Sequence, residues 1–254
     1  MRSLSIAALL VSAALGAGCL VSKPDPATEK RQAGDDALAK SDFAAAAAAY
    51  EASLAVDPKQ EKVLERLASA YAHLDERDKA AAALARKAEL QKDPAQKAET
   101  LRQVAGLYLQ SADRDRAEPW LRQVLALAPD DDATITWLAE LAADRGGARS
   151  NVAEANPADL DVALGYYDKL IALRPDSLTG YAHKRIVLTK YLGYVRKQQQ
   201  AAEQSLGRAR GSEQAAIREK IATAKGRAGE LQAALDQVDQ KIAALRTKPK
   251  PAAP

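Results

Sequence analysis

The sequence predicts an all-α chain: a solenoid of stacked helix pairs followed by a long antiparallel helical hairpin. Three observations lead there. Alanine and charged residues dominate a chain of 254 residues that holds one Phe, one Met and two Trp. No stretch alternates β-branched with polar residues as a half-buried strand does. Segments closing on proline recur, "LAVDP" at Pro58, "LQKDP" at Pro94, "LALAP" at Pro129 and "IALRP" at Pro175, spaced 36, 35 and 46 residues apart. Such a period marks stacked two-helix units. Beyond Pro175 the apolar residues instead alternate by fours and threes, the pattern of a coiled coil.

The chain opens with "MRSLSIAALLVSAALGAG", where Arg2 precedes an uncharged apolar run ending in small residues. That is the layout of a secretory leader, 1–18. The run is shorter than the ~20 residues a spanning helix needs. Cys19, the only cysteine, follows at once and excludes an intrachain disulfide. The stretch resembles a bacterial lipoprotein precursor, a family in which a Leu and two small residues precede a cysteine that is acylated as the leader is removed. Ala17 and Gly18 occupy the two positions before Cys19, while Leu15 stands one place further back than the family has it, behind Gly16. The resemblance implies lipidation of Cys19 and, with Leu20 rather than Asp behind it, an outer-membrane protein of the cell envelope that faces the periplasm. Several acyl chains anchor stably where one does not. The rival is an ordinary signal peptide cut near Gly18, with Cys19 a bystander. Residues 19–26 read as a linker.

Repeats are expected over 27–177. In 27–60, Gly34 and Ala37 are followed by Ala46, Tyr50, Ser53 and Val56. From Glu61 come Leu64, Leu67, Ala68, Tyr71, Ala80 and Leu84, with a second helix that runs two residues long. In 98–131, Leu101, Val104, Ala105 and Tyr108 precede Ala117, Leu121, Val124 and Leu127. A fourth unit pairs a helix near 132–145 with one bearing Ala163, Tyr167 and Leu170, interrupted by a loop at 146–156. That loop exceeds the usual two to eight residues between paired helices. Asn156 before Pro157 is a helix-start signal. These residues resemble tetratricopeptide repeats, about four of them. The resemblance implies a superhelical stack whose units bury their apolar faces only against one another, with Tyr50, Tyr71, Tyr108 and Tyr167 in the core.

Over 178–246 two heptad stripes face each other. Leu206 with Ile217, Ala202 with Ile221, Val195 with Ala228, Leu192 with Leu231, Leu188 with Leu235, Tyr181 with Ile242 and Leu178 with Leu245 all have numbers summing to 423. The midpoint falls at Gly211 and Ser212, a helix-ending and a helix-starting residue. Two antiparallel helices, about 178–210 and 213–246, follow. An intermolecular coiled coil is the rival, but both stripes centre on that turn. A second apolar face, Ile186, Val187, Tyr191 and Tyr194, is expected to dock the first arm on the last repeat. The tail 247–254, with "TKPKPAAP", reads as disordered.

Charge is divided between the two parts. Residues 178–254 carry 15 basic and 6 acidic side chains, net +9; residues 19–177 carry 21 and 28, net −7. Such asymmetry bears on partners. The outer hairpin is expected to project as a basic prong carrying Arg196, Lys197, Arg208, Arg210, Arg218, Lys220, Lys225 and Arg227. The repeat resemblance puts groove-lining positions on the first helices, at Arg31, Asp35, Lys62, Glu65, Ser69, Arg102, Leu109, Thr136 and Glu140. Asp35, Ser69 and Gly106 stand where a carboxylate-clamping Asn is found in some members, so that clamp is missing.

Two histidines, His73 and His183, and one cysteine give no metal-ligand spacing, and no phosphate-cradling glycine motif appears. The expected function is therefore not enzymatic and needs no cofactor. The chain reads as a membrane-anchored scaffold for other proteins in the bacterial envelope, assisting outer-membrane assembly, with no nucleic-acid partner. The alternative is a structural spacer that self-associates or touches the cell wall through the basic hairpin.

Overall fold

The computed structural model describes residues 25–148 and 155–247. The leader, Cys19, the middle of the 146–156 loop and the tail from 248 on lie outside the described residues. Ten helices and no strand are found among them. They run α1 (Pro26–Ala39), α2 (Phe43–Val56), α3 (Glu61–His73), α4 (Arg77–Leu90), α5 (Pro94–Gln110), α6 (Arg114–Leu127), α7 (Asp132–Arg145), α8 (Pro157–Leu173), α9 (Leu178–Leu206) and α10 (Ser212–Thr247). Each helix packs on the next in sequence, from α1 on α2 through α9 on α10. The chain is a stack of helix pairs that ends in a hairpin.

The helix starts are set by side chains that satisfy orphan amides. Asp42, Asp113 and Asp131 accept from the third amide beyond them, Ala45, Arg116 and Thr134, at 3.0, 3.3 and 3.0 Å. Asp93 and Asn156 accept from Ala95 and Ala158 at 3.0 and 3.1 Å, each just before a proline. Pro94 thus begins α5 rather than ending α4, because its missing N–H costs nothing in a first turn. The second repeat is not overlong; its neighbour starts early.

Between the helices of each pair the chain turns through one left-handed residue, Ser41, Asp75 and Ala112, with φ of 57, 60 and 57°. The next amide then reaches back to Ala37, Tyr71 and Tyr108, each at 2.9 Å. The fourth pair makes the same stop with Gly147, φ 71°, and Ala148 bonding to Ala143 at 2.8 Å. The chain then departs into the inserted loop. It returns at Asn156, whose amide donates to the Gly146 carbonyl at 3.2 Å. A Cβ on Gly146 would lie 2.6 Å from Leu160 Cδ2, so glycine lets α8 close against α7.

The core runs along the stack as a series of clusters, bridged by partly buried Trp120, Leu109 and Tyr166, and is built largely of alanine, leucine and tyrosine. Ala46, Tyr50, Leu64, Leu67, Ala68, Tyr71, Ala80 and Leu84 are buried in one cluster, and Leu101 and Val124 in the next. Val56, placed with the second-helix core by its spacing, is exposed: it is the last residue of α2 and has no following turn beneath it. The four repeat tyrosines are buried, and three share one arrangement. The Tyr50 hydroxyl donates to Asp35 at 2.8 Å, and Arg66 of the next repeat pairs with the same carboxylate. Tyr71 donates to Glu51, with the Lys79 ammonium 5.1 Å from the ring centre. Tyr108 donates to Asp78 at 3.3 Å, and Arg116 lies 4.9 Å over its ring while pairing with Asp78 at 2.5 Å. A fourth example joins stack to hairpin. Tyr191 of α9 donates to Asp161 of α8 at 3.0 Å, beneath Arg227 of α10 at 5.0 Å. Each triad lets a large ring be buried with its polar end satisfied.

In the hairpin, Leu188, Leu192, Val195, Leu231, Val238, Ile242 and Leu245 are buried. Arg185 with Asp239 at 2.5 Å, Arg196 with Gln232 at 2.9 Å and Glu203 with Lys225 at 3.4 Å cross between antiparallel arms. Three details differ from the sequence reading. The first arm stops at Leu206, and residues 207–211 form the turn; Gly211 has φ 59°, and Gln214 reaches back to the Ala209 carbonyl at 2.9 Å, covering Ala209. Leu178 is 40% exposed although Leu245 is buried, because the first turn of α9 is committed to α8, with Gly180 against Ile171. Ile186 is 49% exposed, so the docking face of α9 is narrower than expected: Val187 and Tyr191 are buried, while Tyr194 is only partly buried.

Two predictions follow from packing and charge. A Cβ on Gly34 would stand 2.5 Å from Tyr50 Cε1, on a ring pinned by Asp35. Gly34→Ala therefore destabilises by about 1–2 kcal/mol, overpacking outweighing the helix propensity gained. Gly229→Ala in α10, where nothing lies within 4 Å, stabilises by up to about 1 kcal/mol; urea denaturation of the two variants checks the opposite signs. Burial first, then the bond to Asp35, pushes the Tyr50 hydroxyl up to about 12. Burial likewise raises Tyr71, Tyr108 and Tyr191. Raised values favour the neutral phenol in the fold, so this stability is complete below about pH 10, the ordinary tyrosine value. It drains as pH climbs from there through the folded values. The urea midpoint is expected to fall from about pH 10 upward, and less steeply in Tyr50→Phe, which has no proton to lose at that position.

Candidate functional site

The alternation of helix pairs puts α5 and α7 on either side of a groove. Its lining is Arg102, Gly106, Leu109 and Gln110 from α5, Trp137 from α7 and Leu121 of α6 at the floor, around a cavity of ≈ 340 Å³ that is largely apolar. Gly106 has no atom within 4 Å of where a Cβ would sit, so it leaves a gap in the α5 wall. Trp137 is 43% exposed, a large apolar surface left in water beside that gap.

Arg102 forms the polar lip. It pairs with Glu99 of its own helix and with Asp131 at 3.3 Å. Its Nε is buried without a hydrogen-bond partner. The guanidinium is thus held by two carboxylates, and the lip offers direction more than net positive charge. Further along, Glu118 is shared by Arg122 at 2.7 Å and by Arg145, which also reaches Asp159 at 3.2 Å. Burial alone would raise the Glu118 carboxyl, but the two guanidiniums reverse that and hold it below the usual carboxylate range. This network fixes α7 and α8 against α6, and so fixes the wall that carries Trp137.

The structure separates the other groove residues expected from sequence. Arg102 and Leu109 meet in the groove just described. Asp35 is spent on Tyr50 and Arg66; a short carboxylate within reach of a buried phenol becomes a core partner rather than a ligand contact. Glu65 pairs with Lys87 at 2.9 Å. Arg31 lies half-buried on α1, Lys62 and Ser69 are exposed on α3, and Glu140 is half-buried on α7. Thr136 bonds the Asp132 carbonyl at 2.7 Å and opens instead onto a smaller cleft of ≈ 170 Å³ shared with Leu170, Arg174 and His183. Trp137 and Gly106 were not among the expected lining residues. Trp137 carried a signal, being one of two tryptophans and next in sequence to an expected groove position.

The basic prong is also redistributed. Arg227 is drawn to Asp161 and Glu230, Lys225 to Glu203 and Arg196 to Gln232. Lys197, Arg208, Arg210, Arg218 and Lys220 are exposed, with no ion pair of theirs found among the described residues. Both histidines sit in ring contacts, His73 stacked on Phe43 at 4.1 Å and His183 edge-on to Tyr167 at 5.8 Å. Among the described residues no group of His, Cys, Asp or Glu is arranged to hold a metal ion, and no helix is long and apolar enough to cross a membrane.

Comparison with known proteins agrees with this geometry. Residues 100–133, which span most of α5 and all of α6, match the model of the tetratricopeptide repeat family. A repeat protein of that kind from Bacteroides fragilis superposes with a TM-score of 0.51 at 14% identity, covering 88% of this chain and 99% of its own. MamA superposes with a TM-score of 0.46 at 17% identity, covering 81% and 94%. No curated protein matches the sequence.

Proposed function

We propose that this chain, which has the tetratricopeptide-repeat fold, is a non-enzymatic scaffold that holds another protein in the α5–α7 groove while a lipid on Cys19 keeps it at the membrane. The observation that carries the reading is Trp137. A tryptophan left 43% exposed beside a glycine gap and a leucine is the composition of a docking hot spot, where an aromatic anchor and a pocket are buried only on binding. The groove is too open and too poor in titratable groups for chemistry. It suits an apolar side chain of an extended or helical segment, with Arg102 oriented at the edge to meet a carbonyl or carboxylate. The acidic repeats and the polar linker agree with a water-filled compartment next to a membrane, and assistance to envelope assembly is the role we favour for it.

A photoreactive residue at Gln110 is expected to trap a discrete protein adduct in intact cells, and Trp137→Ala to abolish it while shifting stability by less than about 1 kcal/mol, as for a half-exposed side chain. An adduct unchanged by Trp137→Ala sinks the groove as the docking site. The anchor is tested apart from it. Cys19→Ser is expected to leave the leader uncut or to move the protein to the soluble fraction; unchanged processing and membrane association would remove the lipid from the account.

A further inference from the structure

A second concavity lies on the hairpin. Tyr191, Tyr194, Val195 and Gln198 of α9 form one wall; Ala216, Glu219, Lys220, Thr223, Ala224 and Arg227 of α10 form the other, and Pro157 closes one end, around ≈ 510 Å³ of largely apolar-lined space. Its position explains its shape. Inboard, α8 lies against α9, and its first turns reach α10 through Asp161 and Arg227. At Pro157 that helix stops, but the furrow between α9 and α10 continues outward, lined by Tyr194, Ala216, Thr223 and Ala224, with no third helix over it among the described residues. From Tyr191 to Gln198 and from Arg227 to Ala216 it runs roughly 10–16 Å, two to three helical turns.

We propose that this trough is a docking site for an acidic amphipathic helix of another protein, which lies along the hairpin as its third helix in line with α8. Two observations select that occupant. An apolar furrow between two antiparallel helices is filled by the apolar stripe of a third, and inboard α8 already packs on α9 and reaches Arg227 of α10 through Asp161. The charge around it selects acidic flanks. Residues 196–227 carry eight basic and three acidic side chains, net +5, and five of those cations, Lys220 on the wall among them, have no ion pair found among the described residues. Glu219 is the one carboxylate on the lining. The site is separate from the α5–α7 groove and does not rest on it: a protein with both bridges two partners.

The test uses the purified full chain and a fluorescent synthetic peptide with leucines at helical spacing flanked by glutamates, followed by anisotropy. Saturable binding is expected, about tenfold weaker for the same leucines flanked by lysines. Tyr194→Ala is expected to weaken the glutamate peptide about tenfold. Lys220→Glu is expected to weaken it likewise and to strengthen the lysine peptide, a reversal that loss of folding cannot produce. The proposal is overturned if both peptides bind equally or neither binds. It is overturned if Tyr194→Ala leaves binding unchanged, or if sedimentation shows a dimer that Tyr194→Ala dissolves, which makes the occupant a second copy. It is also overturned if Lys220→Glu and Tyr194→Ala abolish binding to mixed phosphatidylcholine–phosphatidylglycerol vesicles without affecting the peptide, which makes the trough a lipid contact.

Discussion

The structure depends on burying tyrosine in a chain that has one Phe, one Met and two Trp. A thin, alanine-filled interface brings helices close but supplies little apolar area per contact. The rings of Tyr50, Tyr71, Tyr108 and Tyr191 supply it, and each brings a hydroxyl that must be partnered. The partner is in every case a carboxylate on a neighbouring helix, itself next to a lysine or arginine. A hydrogen bond to a charged group is worth about 1.5–3 kcal/mol, and at Tyr71, Tyr108 and Tyr191 a cation also lies over the ring. The same interaction ties α1 to α2, α2 to α3, α4 to α5 and α8 to α9.

This dependence explains why residues at ligand-facing places do different jobs along the stack. In the first repeat Asp35 is within reach of Tyr50 and is consumed by the core. In the third the equivalent helix carries Gly106, which leaves space, and Arg102, which is held by Glu99 and Asp131. The wall opposite is kept in place by the ion pairs around Glu118. Within the repeats, the proposed docking groove thus lies at α5 and α7, although all the first helices have the same architecture.

Much of the fold was legible because it is written in short-range signals. Asn156 before Pro157 announced a helix start, the prolines the period, and residues whose numbers share one sum the hairpin register. Where the reading missed, a competing contact decided. Leu178 obeys the heptad but belongs to the turn that meets α8. Ile186 has the right neighbours and points to water. Pro94 reads as a stop but begins a helix. The groove was less legible than the fold, since charge pairing between repeats, such as Arg66 with Asp35, cannot be counted from spacing within one repeat. The trough was not legible at all, because it depends on where the start of α8, at Pro157, falls along α9 and α10.

The clip between Asn156 and Gly146 has a consequence of another kind. It fixes the entry and exit of the inserted loop 3.2 Å apart, after α7 has already ended in the same left-handed stop as the earlier pairs. The α7–α8 packing is then indifferent to how much chain lies between those two residues, since closure entropy grows only as the logarithm of loop length. The junction is a natural splice point. Chain inserted between Gly146 and Asn156 leaves the α7–α8 contact as it is, so the solenoid tolerates a segment of different length there.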